Sequence, residues 1–254
     1  MIGPALAGLV TALTGPAVVI AADAASWAVL AFSYARVAPL VASTSAQPGI
    51  QPDARTATSA WALIRSTPVL PGLLALSFFF YLLYGPVEVA LPVHIDTDLH
   101  GSAALLGIFW AVFGVGAIIG ELAAPFVRRL PLWPTMTAIV LGWGVALVPL
   151  GLNTPLVLAL TAFFAGAVIW GPWASLSMAV FQEAAPPDTL AQVLAARGSL
   201  LILASPLGTA LGGPIVEALG ARDTLLISAL ATVALGLITT GFLVCGSRRH
   251  RHLC

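Results

Sequence analysis

From position 224 to 247 the chain runs 24 residues without a charge, and two further runs, 132–152 and 155–181, share that property. No other feature constrains the fold so tightly. In a bilayer whose hydrocarbon core is about 30 Å thick, a helix of about 20 apolar residues crosses once. Membrane strands are excluded by pattern, because they alternate apolar and polar over about ten residues, whereas these runs are continuous. Backbone N–H and C=O groups in lipid must be satisfied within the segment, which leaves the α-helix. Composition agrees. Charged residues make up 8% of the chain and mean hydropathy is +1.02, whereas a soluble domain carries about 25% charged residues. The solvent this chain is built for is lipid.

The same criterion picks out a short apolar opener, 2–14, and the segments 17–35, 71–93, 102–127 and 198–219. Four of the segments hold one carboxylate each: Asp23, Glu88, Glu121 and Glu217. The expectation is an all-α integral membrane bundle of about eight transmembrane segments. Between two groups of segments lies 36–66, "RVAPLVASTSAQPGIQPDARTATSAWALIRS", rich in Ser, Thr, Pro and Ala. It reads as a polar linker, with a short amphipathic helix expected around Trp61 to Arg65.

Formal net charge is zero, so bulk charge gives no reason to expect nucleic acid as a partner. All ten basic residues are Arg, and Ala is abundant, which points to a GC-rich bacterial genome. If the loops alternate sides, one side collects Arg36, Arg55, Arg65, Arg128, Arg129, Arg197, Arg248, Arg249 and Arg251, and the other only Arg222. By the positive-inside rule this places the linker and both termini in the cytoplasm. That topology needs an even number of crossings, so the short opener must count as one.

The opener also has a twin. Shifted by 205 residues, "GPALAGLVTALTGPAVVIAADA" (3–24) meets "GTALGGPIVEALGARDTLLISA" (208–229). Gly3 falls on Gly208, Gly8 on Gly213 and Gly15 on Gly220. Small residues at Gly3, Ala7, Gly208 and Gly212 suit close helix packing in lipid. The second copy follows four full segments, whereas nothing precedes the first. The expectation is a protein of two six-helix halves in parallel repetition, truncated at its N-terminus, with the first four helices absent.

On these residues the chain resembles the major facilitator superfamily. More narrowly, it resembles the bacterial drug, macrolide and siderophore exporters called transmembrane secretion effectors, as family helices five to twelve. Gly3, Pro4 and Gly8 match the end of the family's antiporter motif, G-x-x-x-G-P-x-x-G-G, with Ala7 in place of a glycine. The stretch 181–208 is similar to the family's link into its eleventh helix, where Gln182, Glu183, Pro187 and Val193 fit and Ala191-Gln192 replaces a Gly-Arg pair. In "GELAAPFVRRL", Gly120, Leu122, Ala123 and Arg128 match a superfamily loop motif, with Ala124 where the motif has an acid. The resemblance implies four regions. They are 1–35 as the last hairpin of the N-terminal half, 36–66 as a cytoplasmic linker, 67–247 as the C-terminal half and 248–254 as a cytoplasmic tail.

Ionisable side chains inside a span are costly and face a cavity or a partner. Ser77, Tyr81, Tyr84 and Glu88 follow i, i+4, i+7, i+11 and share one helical face. Gly85-Pro86 interrupts it, and Pro86 takes the helical donor from the Leu82 carbonyl. A kinked helix with a free carbonyl beside a carboxylate suits a proton or cation site; the alternative is a Glu88 that reaches water at the interface. A second stripe is Gly166, Trp170, Trp173 and Ser177. The resemblance implies that both segments face a central cavity, where the Trp rings could stack on a flat or cationic apolar solute; the alternative is packing or an interfacial belt. Asp23 with Ser26 reads as a structural hydrogen bond. Glu121 and Arg128 read as an interfacial ion pair, and Arg197 as a neutraliser of loop acids. His94, His100, His250 and His252 lie outside the spans and receive no chemistry.

No nucleophile, metal or phosphate-loop arrangement is present, Cys245 and Cys254 have no metal spacing, and a Walker loop is impossible without Lys. No cofactor is expected and an enzyme is not. The expected function is secondary active export of a hydrophobic small molecule by proton antiport across a bacterial inner membrane. The alternative is a non-transporting truncated fragment or late-start gene product of such a transporter.

Overall fold

A computed structural model describes residues 16–44, 61–62, 64–67, 69–152, 154–187 and 189–251, with side chains from 17–36 and from 61 to 242 within those ranges. The opener, and with it Gly3, Pro4, Gly8 and the first copy of the repeat, lies outside the described residues. The elements are α1 (Pro16–Thr44), α2 (Val69–Thr97), α3 (Ala103–Val127), α4 (Leu132–Gly151), α5 (Leu156–Trp170), α6 (Trp173–Ala184), α7 (Leu190–Leu219) and α8 (Ala221–Arg251). Taking α5 and α6 as one span, seven are long and apolar enough to cross a membrane. The chain is therefore an all-α, multi-pass membrane bundle. Large apolar side chains point outward on many of these helices, among them Ile118, Leu122 and Phe126 on α3 and Ile202, Leu203 and Leu211 on α7. That is the surface expected where the solvent is lipid. The span of α1, Ala17–Arg36, is unburied throughout, and Ser26 Oγ donates to the Asp23 backbone carbonyl at 2.7 Å.

Three pairings organise the bundle: α2 on α7, α4 on α8 and α3 on α5. Each is seamed by glycine, because lipid offers no hydrophobic drive between helices and close backbone contact must supply the attraction. A Cβ at Gly208 would overlap the Leu82 carbonyl oxygen, and one at Gly85 would overlap the Gly208 carbonyl carbon. On the second seam a Cβ at Gly144 would lie 2.9 Å from Val233 N, and on the third one at Gly116 would lie 2.7 Å from Phe164 O. Between α2, α3, α4 and α5 the core is aromatic: Phe113 stands 5.8 Å from Trp143 and 5.5 Å from Phe163, centroid to centroid.

Four points of the structure bear on the sequence reading. First, α2 stays helical through Gly85-Pro86 and runs on to Thr97. The Leu82 carbonyl freed by Pro86 faces Gly208 of α7, where an added Cβ would overlap it. Second, the uncharged run 155–181 is broken at Gly171-Pro172, where α5 gives way to α6. Pro172 has no N–H to continue the ladder, and a Cβ at Gly171 would lie 2.6 Å from Ala117 O, so the break also seats α3. Third, several helices outrun their apolar cores. α1 continues past Arg36 to Thr44, α7 begins at Leu190, and α2 takes in His94, which is buried with Nδ1 2.6 Å from Asp98 Oδ2. Arg222, on α8, approaches the same carboxylate at 3.9 Å. Fourth, Arg128 pairs with Glu183 at 2.6 Å, not with Glu121, and so ties the end of α3 to α6. The turn between α7 and α8 is Gly220 alone, at φ 87°, and its N–H closes onto Val216 O. This is the left-handed exit that favours glycine. The expected short helix is present: Ile64 is buried, Trp61 packs against the core, and Ala62 and Arg65 face out.

Candidate functional site

Along α2 the predicted face divides. Ser77 is fully buried and its Oγ has no hydrogen-bond partner. One turn on, Tyr81 lines a cavity of about 350 Å³ shared with Ala174 and Met178 of α6 and Arg197, Leu201 and Ser205 of α7. Tyr84 turns the other way and sets its ring 5.9 Å from Trp143 of α4. Glu88 returns to α7, where Ser205 Oγ donates to its Oε2 over a long 3.4 Å. Among the described residues Glu88 forms no ion pair. The carboxylate stands beside the glycine seam, which runs on past it: a Cβ at Gly212 would lie 2.9 Å from Pro86 Cα and 3.0 Å from Val89 Cγ2.

On α5 and α6 the aromatic stripe is packed. Trp170 lies 5.5 Å from Phe113. Trp173 is fully buried, edge-on to Phe80 at 4.7 Å. Its Nε1 lies near the Tyr81 hydroxyl without closing a hydrogen bond. Trp173 offers no open face for stacking in this conformation, whereas Trp170 is only partly buried. Ser177 is different: fully buried, it accepts from Arg197 Nη2 at 2.9 Å. The structure therefore links Tyr81 to Trp173 and, through Arg197, to Ser177, and places Glu88 along the same α2–α7 groove. Tyr84 and Trp170 lie apart, in the aromatic core.

Two members of the groove do not stand out in the sequence, Arg197 and Ser205. Arg197 ends the apolar run of α7, so hydropathy treats it as a loop residue. The helix begins at Leu190, however, which puts Arg197 in its third turn with Leu201 and Ser205 following at i+4 and i+8. The signal was Pro186-Pro187 ahead of an unbroken helix-forming stretch, which places the helix start before the arginine. Its guanidinium also sits over the Phe181 ring, 5.3 Å from the centroid. In place of a neutralised loop charge, Arg197 is a half-buried cation lining the cavity.

Comparison with known proteins gives a consistent result. The family described as transmembrane secretion effector matches residues 1–248. The multidrug efflux pump Tap of Mycolicibacterium fortuitum is 31% identical over 173 residues, 68% of this chain and 42% of that protein. The multidrug efflux pump Tap of Mycobacterium tuberculosis (strain ATCC 25618 / H37Rv) is 31% identical over 159 residues, 61% of this chain and 37% of that protein. The chain thus spans less than half the length of these relatives. No solved structure matches it.

Proposed function

Since this chain belongs to the transmembrane secretion effector family of the major facilitator superfamily, we propose that it serves secondary active export of a hydrophobic small molecule in exchange for protons. On this reading it is a transporter and not an enzyme, its substrate-side partners are the bilayer, the solute and protons, and Glu88 is the proton carrier. The observation that carries the proposal is the position of Glu88. It is a carboxylate inside a span, bonded to Ser205 of the facing helix and to no cation among the described residues. Such a group is retained in lipid at a cost, and the usual compensation is function.

The proposed mechanism needs two states of the α2–α7 contact. With its proton, Glu88 is neutral and can rest against Ser205. Without it, the carboxylate favours water and hence a groove open to one side. Solute held near Tyr81 and Arg197 and a proton held at Glu88 then compete through the same pair of helices, which is the requirement for exchange. We place 67–247 as the C-terminal half, 1–35 as the last hairpin of the other half and 36–66 as a cytoplasmic linker. Both termini are then cytoplasmic, in a bacterial inner membrane.

The test is Glu88→Gln at the chain's own chromosomal locus, read with the neutral dye N-phenylnaphthylamine. The variant keeps shape and much of the hydrogen bonding but cannot ionise. Efflux driven by a pH gradient should be lost, whereas counterflow exchange of dye, which moves no net proton, should survive. Normal pumping against a gradient would remove Glu88 from the mechanism.

A further inference from the structure

The cavity beside Tyr81 is short of acceptors. Arg197 lines it, and Arg197 Nε is an obligate donor buried without a partner; Trp173 Nε1, behind the lining, closes no hydrogen bond but lies beside the Tyr81 hydroxyl. Ser77 Oγ, one turn from Tyr81, is also unpartnered. These are three of the four unpartnered buried side-chain polar atoms among the described residues, the fourth being Arg222 Nε. Buried donors of this kind cost free energy unless something accepts from them. Apart from the Tyr81 hydroxyl, which faces Trp173 Nε1, the acceptors at hand are committed. Ser177 Oγ already receives Arg197 Nη2 and itself donates to the Ala174 carbonyl at 3.1 Å. Glu88 is engaged by Ser205, eight residues further along α7 from Arg197, which is about 12 Å of helix rise. The remaining lining, Ala174, Met178 and Leu201, is apolar.

We propose that this cavity is a binding site for the anionic oxygen group of an amphiphilic solute, a carboxylate, sulfonate or enolate on an apolar body. Arg197 supplies the charge and the fork, and Tyr81 a hydroxyl. Met178 and Leu201 receive the apolar part. The proposal deepens the transport reading and rests on it for physiological meaning, but it concerns binding and is tested without transport. A planar guanidinium fork reads paired oxygens on one atom better than any other side chain. The cavity's approximately 350 Å³ is at the lower end of the size of small-molecule sites, which fits a compact bicyclic body.

The experiment uses the full chain in nanodiscs of zwitterionic lipid and two dyes of one skeleton, anilinonaphthalene sulfonate and neutral N-phenylnaphthylamine. Losing a charge-assisted hydrogen bond weakens binding by roughly tenfold. Arg197→Gln should therefore weaken the sulfonate dye by that factor and leave the neutral dye unchanged. Equal losses for both dyes, or none, overturn the proposal. Arg197 also holds α6, so Ser177→Ala is the companion variant: it releases Nη2 while keeping the charge. The sulfonate dye should bind at least as tightly to it as to the unmodified chain, and a selective loss would contradict the assignment. Repeating the titration in discs containing phosphatidylglycerol separates a solute from a lipid phosphate. Unchanged sulfonate affinity supports the solute, and competition by the anionic lipid overturns it. Failure of Glu88→Gln to uncouple efflux would leave all of these results standing, so the two readings fail separately.

Discussion

Glu88 and Arg197 carry opposite charges into the same groove and do not meet. Each is instead held by a serine of the facing helix, Glu88 by Ser205 and Arg197 by Ser177. A direct pair would cancel both charges and leave nothing for a proton or a solute to change. The contrast is Arg128–Glu183, which does pair, at 2.6 Å, but with side chains 51% and 69% exposed. Exposed pairs contribute about 0.2–1 kcal/mol at most. A double-mutant cycle with Arg128→Ala and Glu183→Ala, read by thermal unfolding in detergent, should return a coupling in that range that shrinks further in high salt. At this scale the sequence is legible only where chemistry and periodicity coincide. Ser77, Tyr81 and Glu88 fall on one stripe, and Tyr81 and Glu88 reach the groove. Tyr84 shares the stripe but turns onto Trp143, because a face 100° wide on one helix can touch two neighbours. Arg197 escapes the pattern because its charge closes the hydrophobic run that would have included it.

The helices themselves were readable as uncharged runs, while their ends and breaks were not. Hydropathy reports where lipid is, whereas a helix ends where its hydrogen bonds do. Hence α7 begins at Leu190 and α2 persists to Thr97, beyond their apolar cores. The two Gly-Pro pairs show why breaks are harder still. At Gly85-Pro86 the helix continues, with Gly85 against Gly208 of α7; at Gly171-Pro172 it is interrupted, with Gly171 against the Ala117 carbonyl and Glu121 N of α3. Both pairs face a neighbour remote in sequence, which a single-sequence reading does not see. The seam makes a sharp prediction. Gly208→Ala forces a methyl into the Leu82 carbonyl, and overpacking of this kind costs roughly 1–3 kcal/mol. Gly213→Ala, five residues along the same helix, meets nothing within 4 Å and should gain up to about 1 kcal/mol from helix propensity. Thermal unfolding in detergent should therefore move in opposite directions for the two. A fall for both would mean that the seam is not what joins α2 to α7.

For the whole molecule, arginine placement sets the proposed orientation: Arg128 and Arg129 at the end of α3 inside, and the turn at Asp98 to Gly101 outside. In a background lacking Cys245 and Cys254, a membrane-impermeant thiol reagent should label His100→Cys from outside intact cells and leave Arg129→Cys untouched. The reverse would invert the topology. The overall architecture was the most legible level, because lipid imposes one solution on any long uncharged run. The groove was the least, because it forms between α2, α6 and α7, where bonded partners such as Glu88 and Ser205 lie 117 residues apart. What the groove does in the proposed exchange is tested most directly by proton movement. Everted vesicles from the host, acidified inside by respiration and reported by acridine orange quenching, should recover fluorescence when N-phenylnaphthylamine is added. Exchange of solute for protons discharges the gradient. The account predicts that recovery with the unmodified chain and its loss with Glu88→Gln; equal recovery in the Glu88→Gln vesicles would contradict it.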